Sequence, residues 1–314
     1  MIQKKIMEQI KRLSLTVIIC FIAVSIKAQT DTSSLLKELD AMDTAQRSYV
    51  QGTFKGTFIQ NTASVESPAK GVLQVMIMHR FGKISDGAYE LFGLDNATIR
   101  LGFDYGITDR LAVSLGRSSY EKTFDGSLKY KVLRQTSDNR MPVTVSLNAG
   151  ITYITLKYDD KEYMDGNYRT RYFTQALIAR KFSPAFSFQL TPTWLHYNLV
   201  PTREDENNIY ALGGGGRIKL SKRISFNAEY TYLFPNQVNS TEVYNSLSGG
   251  IDIETGGHVF QLVFSNSVGT IPTNYIANTT DTWKDGGIYF GFNISRVFNI
   301  TKTAKATNAK KQKW

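Results

Sequence analysis

Between Asn96 and Tyr120 the chain alternates apolar and polar residues one for one. Ile99, Leu101, Phe103 and Tyr105 fall on one side of an extended backbone, and Thr98, Arg100, Gly102 and Asp104 on the other. After the connector Ile107-Thr108-Asp109 the pattern resumes, with Leu111, Val113 and Leu115 apolar and Ala112, Ser114 and Gly116 small or polar. Successive side chains of a strand point to opposite faces, so this stretch is a β-hairpin with one apolar and one polar face. The same period returns in 143–152, 224–234 and 288–295, where the second face is Thr, Ser, Asn, Gly, Tyr and Glu apart from Leu233. Twelve such strands can be read, at 72–81, 96–106, 110–119, 126–135, 143–156, 169–181, 185–199, 208–220, 223–234, 246–254, 258–267 and 287–298.

A two-faced sheet has two ways to satisfy both faces. A soluble sandwich buries the apolar faces against each other, whereas a membrane barrel turns them to lipid and its polar faces to a wet lumen. Connector lengths separate the two. The gaps 81–96, 119–126, 156–169, 199–208, 234–246 and 267–287 read as long, while 107–109, 182–184, 221–222 and 255–257 are tight and 136–142 is intermediate. Alternating long and short connectors put loops at one end of the sheet and turns at the other, as in outer-membrane barrels. An even strand number also returns both ends of the wall to the turn side. Val50 to Asn61, with Phe54, Gly56 and Phe58 in alternation, reads as a strand or as an inward-folded extension. A thirteenth wall strand would break the parity, so 53–60 is left outside the barrel. Trp194, Tyr197, Tyr230, Tyr232, Phe234 and Trp283 lie near loop-side strand ends, where an aromatic girdle would sit.

The first 28 residues read as an export signal: Lys4, Lys5, Lys11 and Arg12, an apolar run from Leu13 to Ile26, and a cleavage point after Ala28. The run is shorter than the ~20 residues a spanning helix needs. Cys20, the only cysteine, lies inside that run behind Ile19, which argues against a lipoprotein and leaves the mature chain without thiol chemistry. The predicted organisation is a signal peptide over 1–28, a periplasmic N-terminal extension over 29–70, a barrel over 71–298 and a basic disordered tail over 299–314. The formal net charge of +10 divides as +4 on the signal, +5 on the tail and +1 on the body. No basic footprint for nucleic acid remains on the folded part.

Three stretches carry a resemblance: His79-Arg80-Phe81-Gly82, Leu91 to Leu111, and Gly116 to Gln135. They resemble an uncharacterised family of Bacteroidetes-type outer-membrane β-barrels, the domain of unknown function 5777, over about Thr53 to Phe298. The resemblance implies a barrel in the outer membrane and supplies no catalytic residue. The residues themselves agree. None of the three histidines is followed at the second position by a serine, as a barrel lipase would require, and they show no metal-ligand spacing. No enzyme activity, cofactor or metal is expected. The Gly213–Gly216 run lacks the Lys-Ser/Thr of a phosphate loop, and it reads as a bend or as room for another backbone inside the barrel.

Arg100, Asp104, Lys129, Lys131, Glu229 and Asp252 fall on polar faces and are the lumen-facing candidates. They either tune which solutes pass or pair with one another in a filled interior, and their mixed sign leans to the second. The fold expected is all-β, a closed antiparallel transmembrane barrel of about 12 strands with short periplasmic turns and longer extracellular loops. The function expected is a channel or small-solute uptake or binding barrel of unknown substrate, exported to the outer membrane of a Gram-negative cell. Its partners would be outer-membrane lipid, the barrel-insertion machinery and a small solute. The competing expectation is a soluble, secreted or periplasmic β-sandwich that binds a glycan.

Overall fold

The computed structural model describes residues 48–301 apart from Asp160 and Glu162. The signal reading over 1–28, the part of the extension read over 29–70 that precedes Ser48, and the tail beyond Thr301 lie outside the described residues. Twelve strands form one sheet: β1 (Val72–Lys83), β2 (Ala97–Gly106), β3 (Leu111–Ser118), β4 (Thr123–Leu133), β5 (Thr144–Ile154), β6 (Thr170–Lys181), β7 (Phe186–Tyr197), β8 (Asn208–Lys219), β9 (Ile224–Leu233), β10 (Ser246–Thr255), β11 (His258–Ser265) and β12 (Tyr289–Asn299). Each pairs antiparallel with its sequence neighbours, and β12 returns to pair with β1, setting Leu73 opposite Phe298 and Ile77 opposite Ile294. The sheet is a closed barrel and has no free edge. The two-sheet sandwich is thereby overturned.

The alternation read from the sequence sorts the side chains as the fold requires. Leu101, Phe103, Leu115, Leu128, Leu147, Ile151, Phe226 and Leu262 stand outward and exposed around the wall. Leu115 keeps 62% of its surface open, and Leu128 55%. An apolar belt of this extent cannot face water without a partner, and lipid supplies one. Ser146, Asn148, Gln175, Ser187, Gln189, Asn227, Ser248 and Asn293 stand inward and buried.

The connectors at one end are 84–96, 119–122, 155–169, 198–207, 234–245 and 266–288, and at the other 107–110, 134–143, 182–185, 220–223 and 256–257. The alternation of lengths therefore holds with one exchange. The gap expected to be long after β3 is a 3-10 turn (Tyr120–Lys122) in which Glu121 and Lys122 take positive φ of 51° and 49°. That left-handed pair turns the chain within 119–122, and the Glu121 carboxylate is held by Arg171 at 2.9 Å. The connector after β4 is correspondingly the longest at the turn end.

Residues 53–60 neither join the wall nor stay outside the barrel. The chain arrives at the turn end, where the Val50 amide donates to the Gln135 carbonyl and Tyr49 bridges Thr136. It then enters the lumen as a hairpin, with Phe58 bridged to Ala63 and the Ile59 amide donating to the Thr62 carbonyl. It leaves again beside Gly106, and Gly71 donates to the Gly106 carbonyl just before β1 begins. A Cβ on Gly106 would stand 2.2 Å from the Ala69 carbonyl oxygen, so only glycine lets the exit pass this close to the wall. Of the alternatives left open for Val50–Asn61, the inward-folded extension is the one adopted.

Candidate functional site

The lumen is occupied by two segments that are not part of its wall. The first is the hairpin of residues 53–66. A hairpin inside a barrel has no ladder on either side, so the wall must satisfy its backbone groups one by one. It does so with side chains. The Gln60, Asn61 and Thr62 amides converge on the carboxylate of Glu229, at 3.2, 2.8 and 3.1 Å. Successive amides turned to one side make an anion-binding concavity, and the anion here is a wall residue. Gln189 accepts from the Val65 amide at 2.9 Å and donates to the Ala63 carbonyl at 2.8 Å. Gln261 donates to the Ile59 carbonyl at 2.8 Å and Asn293 to the Gln60 carbonyl at 2.9 Å. Phe54, Ile59, Ala63 and Val65 pack with Leu177 and Ala179 of β6, adding an apolar contact to the polar ones.

The six candidate residues fall in different places around this hairpin. Glu229 holds its tip. Asp104 accepts from the Thr57 hydroxyl at 3.2 Å. The Lys129 ammonium donates to the carbonyls of Ser64 and Glu66, both at 3.0 Å. Arg100 is engaged by the wall itself, forming a two-point ion pair with Asp125 at 2.9 and 2.5 Å. Asp252 accepts from Gln261 at 2.9 Å. Lys131 is half-buried and lines an open vestibule at the turn end with Glu66, Asp109 and Arg134. The charges are thus dispersed over hairpin contacts and wall pairs and form no ring.

Arg80 carries as much of the interior as any of these and was not among the candidates. Its guanidinium is fully buried and donates to Asn61 Oδ1 at 2.7 Å and to Asn293 Oδ1 at 2.9 Å. The available signal was parity, since Gln74 and Arg80 share one face of β1. Small residues make the room. A Cβ on Gly116 would stand 2.4 Å from an Arg100 nitrogen, and one on Gly215 would stand 2.6 Å from Ile59 Cδ1. In the Gly213–Gly216 run, Gly215 thus receives a hairpin side chain where the sequence suggested a bend or a second backbone, while the other inward glycine, Gly213, faces Thr191 and Thr231 of the wall.

The second insert is the connector 266–288, which folds back from the loop end and carries the single-turn helix α1 (Pro272–Tyr275). Tyr275, Ile276 and Ala277 pack on Phe173, Leu195, Tyr197, Ile209 and Ala211 of the wall. Tyr197, read as a girdle aromatic, is therefore an interior residue, and its hydroxyl donates to the Thr273 carbonyl at 2.5 Å. It sits on the inward parity of β7, whereas Trp194 takes the outward one. The two inserts meet where the Tyr275 hydroxyl donates to Thr62 Oγ1 at 3.3 Å. What is left between them is a cavity of ≈ 30 Å³, room for about two water molecules. The vestibule at the turn end has ≈ 390 Å³.

At the loop end, Asp205 ties two connectors together. It accepts from the Asn239 and Ser240 amides at 2.7 and 2.9 Å and from the Thr202 amide and hydroxyl at 3.1 and 3.0 Å. Burial pushes its carboxyl up, but these donors outweigh burial and hold it well below the usual carboxylate range. Among the described residues no group of three or more His, Cys, Asp or Glu is gathered as a metal site.

A family model described as "membrane bound beta barrel domain (DUF5777)" matches residues 54–298, which takes in the lumen hairpin as well as the wall. No curated protein matches the chain. Among solved structures, a NanC porin is similar at 10% identity and TM-score 0.45, over 72% of this chain and 98% of that one. An outer membrane channel from Pseudomonas putida F1 is similar at 12% identity and TM-score 0.44, over 74% and 97%. The outer membrane protein Omp33 of Acinetobacter baumannii is similar at 10% identity and TM-score 0.42, over 72% and 97%.

Proposed function

The chain belongs to the membrane bound beta barrel domain family (DUF5777), and on that footing we propose that it is an outer-membrane barrel that passes or takes up a small polar solute, with its lumen shut in the conformation described here. The observation that carries this is the independence of wall and filling. The wall closes on itself through β1 and β12, and neither the hairpin 53–66 nor the connector 266–288 contributes a strand to it. Apart from its apolar contact with Leu177 and Ala179, the hairpin is docked on polar side chains that would be equally well served by water. Among the described residues, Ser146, Ser187 and Ser225 are buried on the inward face with no hydrogen-bond partner for their hydroxyls, which is the surface a wet lumen would need. Lipid around the outward belt and the cell's barrel-insertion machinery are the partners this reading requires. It includes no catalytic step.

Deletion of residues 53–66, with the flanks joined by a short glycine linker, tests it in planar bilayers. The reading expects the full chain to be mostly silent and the deleted chain to show discrete conductance steps. A deleted chain that assembles and stays silent would overturn it.

A further inference from the structure

The hairpin does not fill the lumen evenly. Its tip and flanks bond to Arg80 on β1, Gln189 on β7, Glu229 on β9, Ser248 on β10, Gln261 on β11 and Asn293 on β12. Facing the arc β3–β5, the hydrogen bonds that hold it come from one side chain, Lys129, through the Ser64 and Glu66 carbonyls. Open space borders this arc, the inner cavity reaching on to Asp104 of β2 and Gln175 of β6 at its sides. The inner cavity is bordered by Ser114 of β3, Asp125, Ser127 and Lys129 of β4, and Asn148 of β5. The vestibule is bordered by Lys131 of β4, Thr144 of β5 and Glu66. Inward side chains two apart on one strand are about 7 Å apart. Going down β4 from Asp125 and Ser127 to Lys131, the residue between cavity and vestibule is therefore Lys129. Its ammonium crosses from the wall to the hairpin at that level.

We propose that the β3–β5 arc is a lane for small uncharged polar solutes and that Lys129 is the bar across it. The proposal rests on the reading of the lumen as a solute path and adds where the path runs and what closes it. The solute class follows from the lining. The cavity sets Arg100 and Lys129 against Asp104 and Asp125, and the vestibule sets Lys131 and Arg134 against Glu66 and Asp109. A path with both signs in equal number has no charge filter. Ser114, Ser127 and Asn148 are left to hydrogen-bond hydroxyls and amides of whatever enters. At its far side the cavity is roofed by Thr270, Ile271 and Pro272 of the inserted connector. Lys129 is thus the barrier toward the turn end and the connector the barrier toward the loop end.

The test is access of a small neutral thiol reagent, 2-hydroxyethyl methanethiosulfonate, to Ser127→Cys in a Cys20→Ser background, with the purified full chain in detergent. Lys131→Cys on the vestibule side reports that the reagent reaches the turn end. With Lys129 present, Ser127→Cys is expected to react slowly. Adding Lys129→Ala is expected to speed it at least about tenfold, because a charged hydrogen bond is worth that factor or more in an opening equilibrium. Lys129→Met, which keeps the bulk of the stem and loses both hydrogen bonds, is expected to give a smaller rise in the same direction, and it decides the matter if the alanine variant does not assemble. An unchanged rate in an assembled Lys129 variant overturns the lane. If the rate then rises on deletion of 53–66, and that deletion conducts, the solute path survives and runs through the space of the hairpin itself. If the deletion neither conducts nor raises the rate, the solute path falls as well.

Discussion

Glu229 shows how much a single position carries here. Its carboxylate gathers the three amides at the hairpin tip, and truncation would leave three buried donors facing nothing. Glu229→Ala is expected to weaken docking of the hairpin by about 3 kcal/mol, the scale of charged hydrogen bonds lost from a buried site. Faster trypsin cleavage after Lys55, with the wall still migrating as a folded band in unboiled samples, would report this. Gly215 gives the complementary case. Its missing side chain is filled by Ile59, whose far end can give way to one methyl but not to a branched group. Gly215→Ala is expected to be tolerated, and Gly215→Leu to lift the hairpin at a cost of about 1–3 kcal/mol, again read by cleavage after Lys55. At this scale the sequence was legible in one respect. Parity along a strand says which way Arg100, Asp104, Lys129, Glu229 and Asp252 point. It does not say what they meet, because the partners of Glu229 lie at 60–62, far away along the chain. Lys129 and Lys131 share a face and a charge in the sequence, yet one is tied to the hairpin and the other lines the vestibule.

Among the elements, the wall strands were the legible part, and the connectors were legible in their alternation of length but not in their conformation. A strand declares itself through its own alternation, whereas a connector's length depends on which backbone conformations its residues accept. The β3–β4 turn is short because Glu121 and Lys122 accept positive φ, which no hydropathy pattern announces. The connectors 198–207 and 234–245 are joined through Asp205, and their behaviour with pH follows from the sign of its shift. An Asp carboxyl titrates near 3.9 in an unfolded chain, and that of Asp205 is held lower when the clasp is made. The clasp is therefore fully formed above about pH 4 and is lost only as pH falls through the folded value. Pepsin cleavage of the 234–245 connector is expected to stay slow at pH 4 in the native chain, and to be fast there in Asp205→Ala. Tyr275 plays the equivalent part inside. Tyr275→Phe removes the hydroxyl shared with Thr62 and Gln175 and is expected to loosen the inserted connector by about 1 kcal/mol. Faster hydrogen exchange over 270–279, with the wall unchanged, would show it.

At the scale of the whole molecule, a sheet closed through β1 and β12 has no edge from which to unzip. The unboiled protein is expected to migrate apart from the boiled one on a denaturing gel, and the chain lacking 53–66 to do the same, because the hairpin supplies no hydrogen bond of the sheet ladder. Loss of the shift in the deleted chain would mean that the filling holds up the wall. The sequence by itself determined the number of strands, which face of each meets the outside, and a circular antiparallel order, because alternation and connector spacing are local and repeat along the chain. Only the tertiary structure decided that the lumen is filled, and by which segments. The hairpin 53–66 and the connector 266–288 carry no periodicity that sets them apart from ordinary extended chain. Their backbones are satisfied by side chains from strands distributed around the barrel, and those side chains converge only once the sheet has closed.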